Sequence, residues 1–181
     1  AQLGYFNEQA FQVNPLRNPT KGTVDIEYIL EEKNSDQIEL SGGYGGAGPT
    51  SSGRIIGTLG LTFNNFSTSN FFKKDAWTPL PGGDGQRLSI RAQSNGRFYQ
   101  SYTASFTEPW LGGKKPNSLS FWFNHTALSA NGKLKSEDGY AGLSISGIGV
   151  GLGKRNKWPD DYFSTLYELG YKYYDVVNDT R

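Results

Sequence analysis

The fold is decided by one stretch, residues 87–106, which reads RLSIRAQSNGRFYQSYTASF. Apolar and polar side chains alternate over residues 88–92, and the alternation resumes over residues 102–106. Between the two runs lies Asn95-Gly96, a pair that favours a tight turn because both central positions of a type I′ turn need positive φ. A period of two residues is typical of a strand with one apolar and one polar face. The stretch therefore predicts an antiparallel β-hairpin.

The same alternation recurs after residue 36, in seven segments altogether. Their polar positions carry mainly Ser, Thr, Gly and Asn, whereas a water-facing strand would carry more Lys and Glu. The chain is 14% aromatic and contains 24 glycines, which suits aromatic girdles and tight turns. The apolar positions are Ile38, Leu40, Tyr44, Ile55, Leu59, Leu61, Phe63, Leu88, Ile90, Ala92, Tyr102, Ala104, Phe106, Leu119, Phe121, Phe123, Leu143, Ile145, Ile148, Val150, Leu152, Phe163, Tyr167, Leu169, Tyr171 and Tyr173. The pattern favours an all-β, antiparallel transmembrane barrel, with a water-soluble β-sandwich as the alternative.

One of the seven segments breaks the alternation. Leu143 and Ile145 are odd-numbered, while Ile148 and Val150 are even-numbered. An inserted residue shifts the phase of a strand in this way. The sequence therefore predicts a β-bulge at Gly147.

Residues 11–33 have a different character. The apolar positions of 24–30 alternate with Asp25 and Glu27, as in a half-buried strand that faces water. A connection from Asn14-Pro15 to Gly22 would join this strand to a shorter one before it. The chain is therefore expected to divide into residues 1–35 and residues 36–181.

Composition argues against catalysis and against several kinds of partner. The 18 basic and 17 acidic residues give a net charge of +1, which does not favour nucleic acid. Cysteine is absent, and His125, the only histidine, has no obvious acid–base partner and suits an interfacial position on an apolar strand face. A G-x-G-x-x-G match at residues 43–48 runs into Pro49, where a nucleotide site needs a helix. We expect no enzyme activity, no cofactor and no metal; a start at Ala1 without methionine indicates a fragment.

The first barrel-type strand is unusually rich in glycine, at positions 42, 43, 45 and 46. Glycine offers no side chain to pack across a strand pair, and such strands specify their register weakly. One interpretation is a bend at a barrel rim. The other is a strand that pairs weakly so that it can open or accept another strand by β-augmentation.

Several motifs, in order along the chain, resemble the family of BamA-type outer-membrane assembly factors. Residues 3–6, 22–28 and 31–33 resemble the end of a POTRA module, and Ile38 to Gly46 resembles the first barrel strand. Further matches are the end of the second strand, the fourth strand with its periplasmic turn, and the turn before the seventh strand. They lie at residues 63–66, 99–110 and 158–163.

The resemblance implies an α+β POTRA portion in residues 1–35, placed in the periplasm, and about seven strands of a sixteen-stranded barrel in residues 36–181. It implies an insertase in the bacterial outer membrane that templates incoming strands at a lateral seam. Its partners would be nascent outer-membrane proteins, periplasmic chaperones, accessory lipoproteins, the bilayer and lipopolysaccharide. The expected substrate-binding edge, mainly backbone, comprises Ile38, Glu39, Leu40, Ser41, Gly42, Gly43, Tyr44 and Gly45.

Three other functions stay open on sequence alone. They are a related POTRA-barrel polypeptide transporter, a small structural barrel or porin, and a soluble carbohydrate-binding sandwich that uses exposed Trp and Tyr. A porin would lack POTRA modules, so it leaves the strand at residues 24–30 unexplained.

Overall fold

The computed structural model describes residues 8–20, 22–31, 36–45, 54–77, 80–113, 117–158, 160 and 162–178. The chain divides into two compact units, Ala1–Ser35 and Asp36–Arg181. The motif at residues 3–6 and the pair Glu32-Lys33 lie outside the described residues. None of the helices in the part of the chain described is long and apolar enough to cross a membrane.

The first unit contains a short 3-10 turn, Glu8–Ala10, and a hairpin of β1 (Gln12–Asn18) and β2 (Thr23–Ile29). The hairpin was predicted, but the predicted connection from Asn14-Pro15 to Gly22 is wrong. Asn14 and Pro15 lie inside β1, opposite Glu27 and Ile26, and the turn begins only after Asn18. Proline is tolerated on an edge strand at positions that face away from the partner strand, and both strands of a two-stranded sheet are edges.

The second unit is one antiparallel sheet of seven strands, in which each strand pairs with its neighbours along the chain. The strands are β3 (Gln37–Gly45), β4 (Arg54–Phe66), β5 (Gln86–Ser94), β6 (Tyr99–Glu108), β7 (Ser118–Ser129), β8 (Gly142–Arg155) and β9 (Ser164–Val177). We call the end at which β3 begins the lower end, and the opposite end the upper end. The all-β antiparallel prediction is confirmed, and β3 and β9 are the two edges of the sheet.

The two faces of this sheet differ in chemistry as the alternation predicts. On the apolar face, the register aligns Leu40, Leu59 and Ala92 in one row across three strands. These side chains are not covered: Leu40 is 83% exposed. In the described part of the chain, the buried residues with large apolar side chains are Phe66, Pro81 and Tyr140. A β-sandwich needs a second sheet on this face, and the described residues of this unit form none.

The predicted bulge at Gly147 is wrong. The pairing of β8 with β7 and with β9 runs without a shift from Gly142 to Gly153. The apolar side chains change face instead: Ile148 lies opposite Phe123 on the apolar face, whereas Leu143 lies opposite Leu128 on the polar face. The apolar residues of β8 therefore move from one face of the sheet to the other at the end of the band of apolar side chains, and no residue is inserted.

The band ends at the row of His125. This side chain lies on the apolar face by register, opposite Tyr102 and Ser146. Its Nδ1 is 2.8 Å from the Ser146 hydroxyl oxygen. A polar pair next to the apolar rows is what an interfacial position requires.

A real irregularity occurs in β4, where the register against β5 shifts between Phe63 and Phe66. Phe63 pairs with Leu88, and Phe66 pairs with Gln86, so both aromatic rings lie on the apolar face despite their odd spacing. The Phe66 ring is 6.4 Å from that of Phe106, nearly perpendicular to it. Because of this bulge, the apolar face of the sheet continues as far as the turn that follows β4.

That turn, residues 67–85, is held by a network around Asp84. The carboxylate accepts hydrogen bonds of 2.6 Å from the hydroxyls of Ser67 and Ser69. The Gln86 side chain accepts from the Thr68 N–H at 2.8 Å and donates to the Glu108 carboxylate at 2.7 Å. Ser67 is fully buried, so the turn is a packed unit at the lower end of the sheet.

The turn should lose stability in acid. Hydrogen bonds from Ser67 and Ser69 lower the pKa of Asp84 below its ordinary value of 3.8. Because the folded pKa is the lower one, the contribution is fully present above the ordinary value and is lost as pH falls through the folded pKa. Deuterium uptake over residues 67–85, corrected for intrinsic exchange, should rise at low pH. Asp84→Asn should show high uptake at every pH; unchanged uptake in that variant would contradict the assignment.

Candidate functional site: the free edge of the first strand

The candidate site is the first strand of the sheet, β3. All eight residues that the sequence singles out lie in it, as one continuous run from Ile38 to Gly45. β3 pairs with β4 over its whole length, from Gln37 opposite Thr62 to Gly45 opposite Arg54. Within the described residues its other edge has no strand beside it. In an antiparallel strand the residues bond alternately to either side, so every second residue directs its N–H and C=O to that edge.

The side chains of β3 divide between the two faces. Ile38, Leu40 and Tyr44 lie on the apolar face, and Tyr44 is 71% exposed. Glu39 and Ser41 lie on the polar face. Among the described residues, no three His, Cys, Asp or Glu side chains lie close enough together to hold a metal ion, in β3 or elsewhere. What β3 offers is therefore a backbone edge with a lipid-compatible face and a polar face.

The upper half of β3 offers few side chains to β4, because three of its four residues from Gly42 to Gly45 are glycine. Gly42 lies directly opposite Gly57, so this pair has no side chains to contact each other. A methyl group built on Gly42 or on Gly43 would meet no atom within 4 Å. Cross-strand side-chain pairs each contribute about 0.2–1 kcal/mol. This half is consequently joined to the sheet by little more than its backbone hydrogen bonds.

The lower half of β3, by contrast, is tied to β5. The Glu39 carboxylate forms an ion pair with the Arg91 guanidinium, and the pair crosses the intervening strand β4 at Gly60. Gly60 makes this possible, because a methyl group there would lie 3.2 Å from both Cβ and Oε2 of Glu39. The first strand therefore has a fastened lower half and a loosely held upper half.

We expect the ion pair to protect the lower half of β3 from opening. Glu39→Gln and Arg91→Gln should each raise deuterium uptake over residues 37–41 severalfold, and the double variant should add little to either. Half-exposed ion pairs contribute about 0.2–1 kcal/mol to stability, so the rise in deuterium uptake should be confined to residues near the pair. Additive effects of the two substitutions would contradict a direct Glu39–Arg91 coupling. Arg87→Gln, a cation on the same strand and face, is the matched control.

Sequence reasoning identified the strand but missed Arg91 and Gly60. The signal was present, because Glu39 and Arg91 carry opposite charges and both occupy polar positions of their strands. Using it requires the register that places both residues opposite Gly60. That register depends on two strand pairings, neither of which one sequence alone specifies.

Comparison with known proteins gives a family match and a fold match. The model of the Omp85 superfamily domain matches residues 82–181. A solved structure, the crystal structure of BamA from Haemophilus ducreyi lacking POTRA domains 1–3, is similar with a TM-score of 0.61 and 20% sequence identity. The match covers 99% of this chain and 29% of that chain. No curated protein sequence matches.

The structural match bears directly on the sheet. At this identity it establishes the fold: the seven strands are part of a BamA-like β-barrel, and the predicted barrel is confirmed. Together with the Omp85 family match, this fold indicates an outer-membrane protein. The uncovered apolar face is therefore the face that meets lipid.

Proposed function

Because the chain belongs to the Omp85 superfamily, we propose that it forms the seam-side part of an outer-membrane protein insertase. The family and the fold support the coarser statement, a role in polypeptide insertion or transport at the outer membrane. The finer proposal is that β3 templates an incoming strand. In that step the N–H and C=O groups that every second residue between Ile38 and Gly45 directs to the free edge pair antiparallel with the client, as in β-augmentation.

One observation carries this proposal: the edge strand is weakly held in the half that is richest in glycine. An exposed edge is a hazard that proteins usually cover or blunt with charges, proline or bulges. In β3 the paired register is continuous and no proline interrupts it. The side chains at Gly42 and Gly43 are absent, and those at Leu40 and Tyr44 point to the lipid side. Such an edge suits temporary pairing with many different client strands, because backbone groups recognise no particular sequence.

The proposal includes the setting of the chain. Residues 1–35 form the end of a periplasmic POTRA module, and the lower end of the sheet faces the periplasm. Nascent outer-membrane proteins arrive there with chaperones and accessory lipoproteins, and the barrel contacts phospholipid and lipopolysaccharide. No enzyme chemistry and no cofactor is needed, since backbone hydrogen bonding and burial of apolar faces in lipid provide the free energy.

Reconstitution tests the proposal. The full-length protein in phospholipid vesicles should accelerate the folding of a small eight-stranded client, measured as the heat-modifiable band on a gel. Vesicles that carry an unrelated barrel of similar size are the control. Equal client folding in both kinds of vesicle would contradict the insertase function.

A further inference from the structure

The turn between β4 and β5 projects a cluster of aromatic rings beside the sheet. Phe71 lies at its centre: its ring is 6.4 Å from Phe66, 5.4 Å from Phe72 and 5.2 Å from Trp77. Phe66 in turn contacts Phe106 on the apolar face. The cluster therefore continues the lipid-facing surface of the barrel beyond the last paired residues of β4.

The outer rings of the cluster are uncovered. Phe72 is 91% exposed and Trp77 is 43% exposed. The indole N–H of Trp77 donates to the Phe71 backbone carbonyl at 3.0 Å, so the ring presents its apolar surface without an unsatisfied donor. Two cations follow the rings, Lys73 and Lys74, and both are exposed.

We propose that Phe71, Phe72 and Trp77, with Lys73 and Lys74, form an anchor that inserts into the membrane surface at the lower end of the barrel. Aromatic rings favour the boundary between acyl chains and headgroups, and lysine beside them attracts anionic headgroups. The occupant of this surface is phospholipid, because the cluster is continuous with the lipid-facing side of the sheet. The proposal concerns membrane contact alone and does not depend on the insertase function.

The packing of the turn fits an anchor of fixed shape. The Asp84 carboxylate binds both Ser67 and Ser69, and the Asn70 side-chain amide donates to the Gly82 carbonyl at 3.1 Å. These bonds join the two arms of the turn just before Phe71. These bonds fix the part of the turn from which the rings project.

Site-specific fluorescence tests the anchor. This chain contains no cysteine, so in a cysteine-free full-length protein Phe72→Cys carries an environment-sensitive dye, and Ser136→Cys, in the loop at the upper end, is the control. Vesicles contain phosphatidylethanolamine and phosphatidylglycerol. We expect a blue-shifted dye at residue 72 and severalfold stronger quenching there by lipids with a nitroxide near the headgroup. Heat-modifiable mobility verifies that both variants fold.

Two results would overturn the proposal. The first is a dye at residue 72 that is quenched by aqueous iodide as strongly as the control. The second is a blue-shifted dye that lipid nitroxides do not quench, because protein and not lipid would then cover Phe72. Replacing Lys73 and Lys74 with serine should reduce the lipid quenching in anionic vesicles and leave it unchanged in zwitterionic ones.

Discussion

Proline at position 40 should slow client insertion by about tenfold or more, while alanine at the same position should change it little. Leu40 lies in the middle of β3, opposite Leu59, with its side chain on the lipid face. Proline removes the backbone N–H and fixes φ, whereas alanine removes only a side chain. An unmade hydrogen bond costs about 1–3 kcal/mol, and about 1.4 kcal/mol corresponds to a tenfold change in rate. The rate of client folding in vesicles measures both variants.

A neighbouring substitution separates templating from simple damage to the strand. Successive residues of a strand bond to opposite sides, so proline at Leu40 and at Ser41 removes N–H groups that face different ways. If the removed N–H faces β4, the proline should lower the urea midpoint of the barrel. If the removed N–H faces the free edge, the proline should slow insertion and leave the urea midpoint unchanged. If neither Leu40→Pro nor Ser41→Pro slows insertion more than alanine at the same position does, backbone templating is wrong.

The second large effect is expected in the polar interior, at Gly149. The Trp122 ring on β7 lies across Gly149 on β8, and its Nε1 donates to the Glu168 carboxylate of β9 at 2.9 Å. A methyl group on Gly149 would lie 2.4 Å from the Trp122 ring, and one on Gly170 would lie 2.9 Å from it. The indole thus fills space that two glycines leave open and joins three strands. Gly149→Ala should therefore destabilise the full-length barrel by about 1–3 kcal/mol, measured by urea unfolding.

Gly57→Ala is the matched control, since a methyl group there meets only the Ser94 carbonyl oxygen at 3.8 Å. We expect it to change stability by less than about 0.5 kcal/mol. Combining Gly149→Ala with Trp122→Phe should cost less than the sum of the two single changes, because the smaller ring leaves room. Equal losses for Gly149→Ala and Gly57→Ala would show that Trp122 does not pack as described.

Much of the fold could be predicted from the alternation alone. The period of two residues located all seven strands of the sheet, and Asn95-Gly96 located the turn between β5 and β6. Gly96 has a φ of +88°, but none of the described non-glycine residues has a positive φ, so this is not the type I′ turn that the pair favours. The eight residues of the candidate edge lie in one strand as expected. Their role as a client-pairing edge is still a prediction.

Two kinds of feature could not be predicted from the alternation. They are the point at which each strand leaves the membrane, and the side-chain contacts between residues on different strands. At Gly147 the apolar residues change face, and a period of two cannot distinguish that change from a bulge. At Phe63–Phe66 a real register shift does occur, yet it keeps both rings on the apolar face. The contact of Trp122 with Gly149 and Gly170 joins residues far apart in sequence, so glycines that appeared to be turn or flexibility signals are packing sites.

Cysteine cross-linking between β3 and a stalled client shows whether β3 pairs with the client strand. Single cysteines at successive positions from Ile38 to Tyr44 are combined with single cysteines along the last strand of the client. If β3 templates the client, disulfides should form in an antiparallel register, in which moving one position up β3 requires moving one position back in the client strand. Cross-links without such a register, or none at β3 while the client still folds, would contradict it.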